Sequence, residues 1–232
     1  MTGDSERFPR LTPRPFRFDV VALIRAAILN GTLRTGAPLV EAQLAEQMGV
    51  SRAPIREALL KLEEQGLVVN IPYRGTYVTE VTPRKIQEII PLRAVLESLA
   101  VERALPVVRN GKMEQLEQAL RRMREAGDSG NASALVDAHL GFHRVFFELA
   151  DNAMLLQFWT IMEEQLRLYL HVNHQLYTHP AHVADAHTDL LEAVRVGDLD
   201  VLRRCISHHI VDSAAVLLSG VDAPKAGVAS TT

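Results

Sequence analysis

The sequence predicts a mostly α protein: an N-terminal winged helix-turn-helix with a small β-hairpin wing, then a C-terminal all-α helical bundle. Two observations predict it. Between Leu39 and Thr79, a short helix, a Gly49-Val50-Ser51 turn, a second helix and two short strands follow one another, which is the order of a helix-turn-helix with a wing. Beyond Glu80, the apolar residues recur at helical spacing and no convincing strand competes with them.

Composition bounds what such a chain can be. Its 232 residues suffice for one large or two modest domains, and with 47% hydrophobic residues it can bury a real core. The net charge of -3 supplies no bulk attraction for nucleic acid, so any basic surface must be local. Cys205 is the single cysteine, which excludes an intrachain disulfide and fits a reducing compartment. The N-terminus is polar without an apolar signal core, and no apolar run is long enough to span a bilayer. The expectation is a cytoplasmic protein with no membrane partner.

Residues 1–17 hold Pro9, Pro13 and Pro15 among Arg7, Arg10, Arg14 and Arg17, which reads as a flexible basic tail. Residues 18–80 form the expected winged unit. Val20, Val21, Ile24 and Ile28 have helical spacing from Asp19 to Asn30, and Asn30-Gly31 closes that helix. Thr35 to Pro38 reads as a turn into helices at about Glu41–Met48 and Arg52–Gln65. Strands are expected at Leu67–Ile71 and Thr76–Thr79, with Pro72 to Gly75 as the tip. Thr82 can N-cap the next helix, with Pro83 at its first position. Residues 81–219 then read as helices at about 83–105, 112–126, 131–150, 153–177, 181–196 and 198–218. Asn152 is placed to cap the helix after it, and residues 220–232 are small and polar, a disordered tail.

Within the winged unit, Ile55, Leu59 and Leu62, with Ala58 alongside, form a stripe toward Leu44, Met48 and Val50. Arg52 and Arg56 are i, i+4 neighbours on another face, just after Ser51 at the N-cap. Such readers place base-contacting side chains at the start of the second helix, where a guanidinium can hold a guanine edge for about 1–3 kcal/mol of discrimination. The competing reading pairs Arg56 with Glu57 or Glu63 in a surface network; the position at the helix start favours a DNA contact. At the wing tip, Gly75 would allow close backbone approach and Arg74 could enter a minor groove.

The string Leu39-Val40-Glu41, Leu44-Ala45-Glu46, Gly49-Val50-Ser51-Arg52, Pro54-Ile55-Arg56-Glu57-Ala58-Leu59, Leu62, Gly66-Leu67 and Arg74-Gly75 resembles the winged-helix domain of the GntR family of bacterial transcription regulators. The resemblance implies contacts to double-stranded DNA from Arg52 and Arg56 and a wing contact through Gly75; Ser51 and Arg74 complete the expected DNA-binding set, and two copies in a homodimer would read an imperfect palindrome. Ala42 stands where relatives often carry an Arg, and Ala53 where a Thr or Ser is usual.

In the helical half, His139 and His143 are i, i+4 and project from one helix face. His187 lies ten residues before Gly197 and His209 twelve after it, so a hairpin at Gly197-Asp198 brings them level. Four converging imidazoles would suit a divalent metal, Zn or Ni among the borderline cations. The plain alternative is four unrelated histidines in a chain that carries 9. The aromatics Phe142, Phe146, Phe147, Phe158 and Trp159 read as core or dimer packing.

The runs Phe142 to Asn152, Ala186 to Asp200 and Ile206 to Ile210 resemble the effector domain called FCD, found in the FadR-like branch of the same family, over roughly 85–218. The resemblance implies a divalent metal on an acidic residue, then His143, His187 and His209. Here His139 takes the acidic place, and Asp137 lies nearer the other side of its helix. An all-histidine site favours softer borderline metals and leaves more positive charge for a small organic-acid effector. Arg93 could hold that carboxylate as a fork, or could simply pair with Glu97 at i+4.

The expected function is a ligand-responsive transcription regulator, a repressor released by a small carboxylate or sugar acid bound beside the metal. Two other readings compete. An architectural DNA binder would use its helical half only to dimerise. A metalloenzyme would need a general base, and the HxxxH run has Leu140 where a zinc protease has Glu, so no enzyme is expected.

Overall fold

A computed structural model describes residues 16–172 and 180–221. The tail expected at 1–15, the helix end at 173–177 with His174, the nearby His179, and residues 222–232 lie outside them. Among the described residues there are nine α-helices, one π turn and one two-stranded sheet. Helices α1 (Phe16–Leu29), α2 (Glu41–Met48) and α3 (Arg52–Glu64) precede strands β1 (Val68–Ile71) and β2 (Gly75–Val78). Then come α4 (Pro83–Val107), a π turn (Val108–Lys112), α5 (Met113–Asp128), α6 (Ala132–Leu149), α7 (Ala153–Val172), α8 (Pro180–Val196) and α9 (Leu199–Val221). Two boundaries correct the expectation. Phe16 and Arg17 already belong to α1, and Gly220 and Val221 still belong to α9, so the helices claim the inner ends of both expected tails.

The winged unit folds because three helices bury one stripe each. Val20, Ile24 and Ile28 on α1 meet Ile55, Ala58, Leu59 and Leu62 on α3, while Leu44 and Ala45 of α2 close the side. Gly49 ends α2 at φ 64°, and its N–H donates to the carbonyls of Ala45 and Glu46. That left-handed step, which glycine adopts at little cost, turns the chain into α3.

The wing is antiparallel, with Val68 opposite Val78 and Ile71 opposite Gly75. Gly75 is therefore the first residue of β2, and the tip is Pro72 to Arg74. The segment read as a turn at Thr35–Pro38 does more than turn. Gly36 N–H donates to Val78 O at 3.0 Å, Val78 N–H to Ala37 O at 2.9 Å and Leu39 N–H to Thr76 O at 2.8 Å. The free edge of β2 is thus stitched to the entry of α2, which fixes the wing relative to α3.

Thr82 Oγ1 accepts from Lys85 N–H at 3.3 Å and Pro83 opens α4, as expected. Asn152 Oδ1 accepts from Leu155 N–H at 3.1 Å, capping α7. Helices α4, α6, α8 and α9 surround a core that includes Leu140, Phe142, Trp159, Leu190, Val194, Ile206 and Ile210. Helix α7 reaches back to the winged unit: Arg25 of α1 lies 3.5 Å from Glu164 and donates to Gln65 at 2.8 Å. Gly66, at φ 72°, sits so near Gln165 that a Cβ would lie 2.6 Å from its amide nitrogen. No described helix is long and apolar enough to cross a membrane.

Candidate metal centre and nucleic-acid interface

Three helices deliver four histidines to one buried polar cluster. His139 and His143 come from α6, His187 from α8 and His209 from α9, with one ligand atom of each within 4.8 Å of all the others. His143 Nε2 lies 3.0 Å from His187 Nε2 and 3.3 Å from His209 Nε2. Asp137 is elsewhere, paired with Arg167. His171 also stands apart, against Arg167 O at 2.8 Å and Ser133.

The tautomers decide what this cluster can hold. His187 Nδ1 is 2.6 Å from Val183 O, so that nitrogen carries the proton and Nε2 is bare. His143 Nδ1 is 2.7 Å from Glu97 Oε2. The approach is poorly directed for a hydrogen bond, and both atoms otherwise lack a hydrogen-bond partner. At that distance the proton must nevertheless sit on one of them, because two bare lone pairs would repel. With it on Nδ1, His143 and His187 turn two unprotonated nitrogens toward each other at 3.0 Å. A cation bound by both offsets that repulsion. Zn–N bonds of about 2.0–2.1 Å set ligand spacings near those seen, so the donor set fits such an ion.

Burial acts on every ring in the same direction. It pushes His139, His143 and His209 well below the usual imidazole range, helped by neighbouring rings and Arg93, and His187 down to about 4 against the opposing bond to Val183 O. Neutral imidazole is the ligating form.

A pH dependence follows. His187 faces His139, His143, His209, Arg93 and Glu97, all buried or nearly so. Its folded pKa lies below the unfolded value near 6.5, so between about 6.5 and 4 the unfolded chain binds more protons. Stability of the metal-stripped protein is therefore full above about pH 6.5 and falls as pH drops toward 4, each unit of that gap being about 1.4 kcal/mol. Thermal unfolding at pH 7, 6 and 5 should show a declining Tm; a flat Tm would contradict it.

Arg93 joins the cluster from α4. It is fully buried, its Nε pairs with Glu97, and its Nη2 lies 3.1 Å from His143 Nε2. Arg93 thus makes the i, i+4 pair expected with Glu97 and also faces the histidines. Its Nη1 is buried without a hydrogen-bond partner, a donor turned to no acceptor. Glu97 as a neighbour of His143 was not expected.

The second site lies on α3. Ser51 is the N-cap residue, yet its side chain makes no capping bond. Pro54 explains part of this, because the third helical position, whose N–H a cap accepts, has none. The hydroxyl and the first amides of the helix stay available to a phosphate. Arg52 and Arg56 are exposed on the first turns. Arg56 does not pair with Glu57 or Glu63: it grips Glu41 of α2 at 3.1 and 3.0 Å, which holds the Glu41 carboxyl below its usual range. At the wing tip, Gly75 has φ 101° with open space around it, so its conformation and not crowding calls for glycine. Beside it, Tyr73 is fully exposed and holds φ 63°, a rare setting for an aromatic residue. Arg74 is exposed between them.

The FCD domain family matches residues 88–212, and the bacterial regulatory proteins of the gntR family match residues 17–78. Among curated relatives, a "Probable D-xylose utilization operon transcriptional repressor" of Paenarthrobacter nicotinovorans is 28% identical, covering 96% of this chain and 98% of its own. The repressor RspR of Escherichia coli K12 is 26% identical over 85% of this chain and 86% of its own. A crystal structure of a transcriptional regulator GntR from Rhodococcus sp. RHA1 superposes with TM-score 0.75 at 23% identity, over 89% of this chain and 99% of that one.

Proposed function

The chain belongs to the gntR-family regulators with an FCD domain, a family of transcription factors and not of enzymes, and on that premise we propose a homodimeric repressor whose grip on an imperfect palindrome is released by a small carboxylate bound beside a divalent metal. The observation that carries this reading is the buried four-histidine cluster with Arg93 against it. The metal would supply Lewis acidity to a ligand oxygen. The four imidazoles would hold it, and Arg93 would take the second oxygen as a fork.

Charge supports an anionic effector. Arg93 and Glu97 cancel, so a divalent ion on four neutral rings leaves a buried excess of two positive charges. Zn or Ni suits the nitrogen set better than Mg or Ca. The curated relative named for D-xylose utilisation supports an effector related to a sugar. DNA as the target and the single cysteine support a cytoplasmic setting.

The route to the reader supports coupling. Trp159 of α7 has its ring 6.2 Å from His143, and two turns on, Glu164 and Gln165 press on Arg25 and Gly66. A shift of α7 with ligand would bias where α3 sits, so the ligand would need only a different affinity for the two packings.

A second copy of the chain would cover one exposed apolar face. Helices α4 and α7 lie side by side: Leu92 lines the same cleft as Gln165 and Tyr169, and Arg103 donates to Ala150 O just before α7. That sets Val95 and Leu99 level with Ile161 and Phe158, all exposed. Two recognition helices then read two half-sites.

Selection from random duplexes with the full-length chain tests the reading, with elemental analysis of the same preparation. The expected outcome is a two-half-site operator, a zinc- or nickel-loaded protein, and weaker binding with a sugar acid. A Val95→Glu, Phe158→Glu variant should sediment as a monomer and lose that operator. No sequence preference in any metal or ligand state would overturn the regulator reading. Metal-free protein with binding indifferent to every acid would favour an architectural role.

A further inference from the structure

Four neutral imidazoles leave the candidate metal without an anionic ligand, and the described buried carboxylates are two. Glu163 is held by Arg144 and Arg167. Glu97 is the other. It stands one turn along α4 from Arg93, with Oε1 on Arg93 Nε and Oε2 2.7 Å from His143 Nδ1.

We propose that Glu97 is the positioning residue of the metal centre: it fixes the proton of His143 on Nδ1, turns Nε2 to the ion, and supplies from behind the ring the negative charge that the four histidines lack. The inference rests on the metal reading above and adds a role for a residue outside the ligand set. The chemistry is that of a carboxylate–imidazole–metal relay, in which the carboxylate raises the basicity of the ligating nitrogen and locks its tautomer. His187 does the same with a neutral partner, Val183 O, so the two inward nitrogens differ in basicity. Arg93 Nη2 donates to His143 Nε2, the atom an ion would take, while Glu97 Oε1 holds Arg93 Nε. Glu97 therefore anchors the guanidinium and the ring together, and an ion on Nε2 would leave Arg93 Nη2 to a ligand.

The test compares zinc affinity, by chelator competition on the full-length protein, in wild type, Arg93→Met, Glu97→Gln and Arg93→Met with Glu97→Gln. Glu97→Gln should weaken zinc by about 10–100-fold. Because it strands a buried guanidinium and could unfold the chain, the double variant supplies the second comparison: it should bind more weakly than Arg93→Met by a similar factor, while Arg93→Met alone should match or exceed wild type. Nitrogen-15 spectra of the imidazoles supply a readout that simple packing would not move. In the metal-free wild type His143 should be the Nδ1–H tautomer, and in the double variant the proton should be shared between the two nitrogens. Equal zinc affinity for the double variant and Arg93→Met, with an unchanged tautomer, overturns the role of Glu97 and leaves the metal site standing. A wild-type protein that binds no zinc overturns both.

Discussion

Replacing His143 by alanine should empty the proposed metal centre while leaving the chain folded. His143 is the hub of the cluster, since its Nε2 lies 3.0 Å from His187 Nε2 and 3.3 Å from His209 Nε2. Structural zinc sites are worth about 10–16 kcal/mol over four ligands, so one imidazole carries roughly 3 kcal/mol, about a hundredfold in affinity. The loss at His143 should exceed the loss at His209, which keeps some solvent contact and reaches the cluster from its edge. Burial also favours the empty fold surviving: the removed ring leaves Glu97 with its partner Arg93, so no carboxylate is stranded. The cavity costs stability, of the order of 2–5 kcal/mol for a large buried side chain. Circular dichroism and elemental analysis on the same sample separate the outcomes. A His143→Ala protein that is folded and fully zinc-loaded would refute the site.

Some of this arrangement was legible in the sequence and some could not be. Local spacing is read well, because it depends on one helix at a time: His139 and His143 fall on one face whatever surrounds them. His187 and His209 were placed by counting from Gly197, which works because the break between α8 and α9 is short and both helices are regular. Pairings between distant segments leave no such trace. Nothing in LRAVLE says that Glu97 will touch a ring on α6, and nothing in the α2 sequence says that Glu41 will take Arg56 from its own helix neighbours. The strand limits slipped by one residue for a local reason of another kind: Tyr73 holds φ 63° and Arg74 N–H donates to Ile71 O at 2.9 Å, so the tip closes over Pro72 to Arg74 and Gly75 already pairs with Ile71. The bond from the Gly36–Leu39 segment to β2 was hidden because Pro and Gly there signal a turn equally well.

Arg52→Ala should remove specific operator binding, and Arg56→Ala should weaken it by a smaller factor. Arg52 stands at the first helical position, exposed, on the end of α3 that such readers lower into the major groove. Losing a bidentate guanine contact costs about 1–3 kcal/mol per half-site. In a homodimer both half-sites lose it, about 2–6 kcal/mol in all, or roughly 30-fold to 20,000-fold. Arg56 begins from a different state. Its guanidinium already satisfies two bonds with Glu41, so any base contact must first replace them, and Glu41 would then face the phosphates unpaired. The net gain from Arg56 is therefore smaller than its geometry alone implies. Glu41→Gln separates these effects. It removes the competing charge, so it should strengthen binding to operator and to unrelated duplex alike, with a steeper salt dependence, and should raise the cost of Arg56→Ala. Titrations of the selected operator and a scrambled duplex at two salt concentrations compare wild type, the three single variants and the Glu41→Gln, Arg56→Ala double variant. If Arg52→Ala retains wild-type discrimination between the two duplexes, α3 does not read bases through its first turn. A near-neutral chain has little general attraction to fall back on, so its specificity would then have to come from the wing, where Arg74 and the strained Tyr73 stand exposed at the tip.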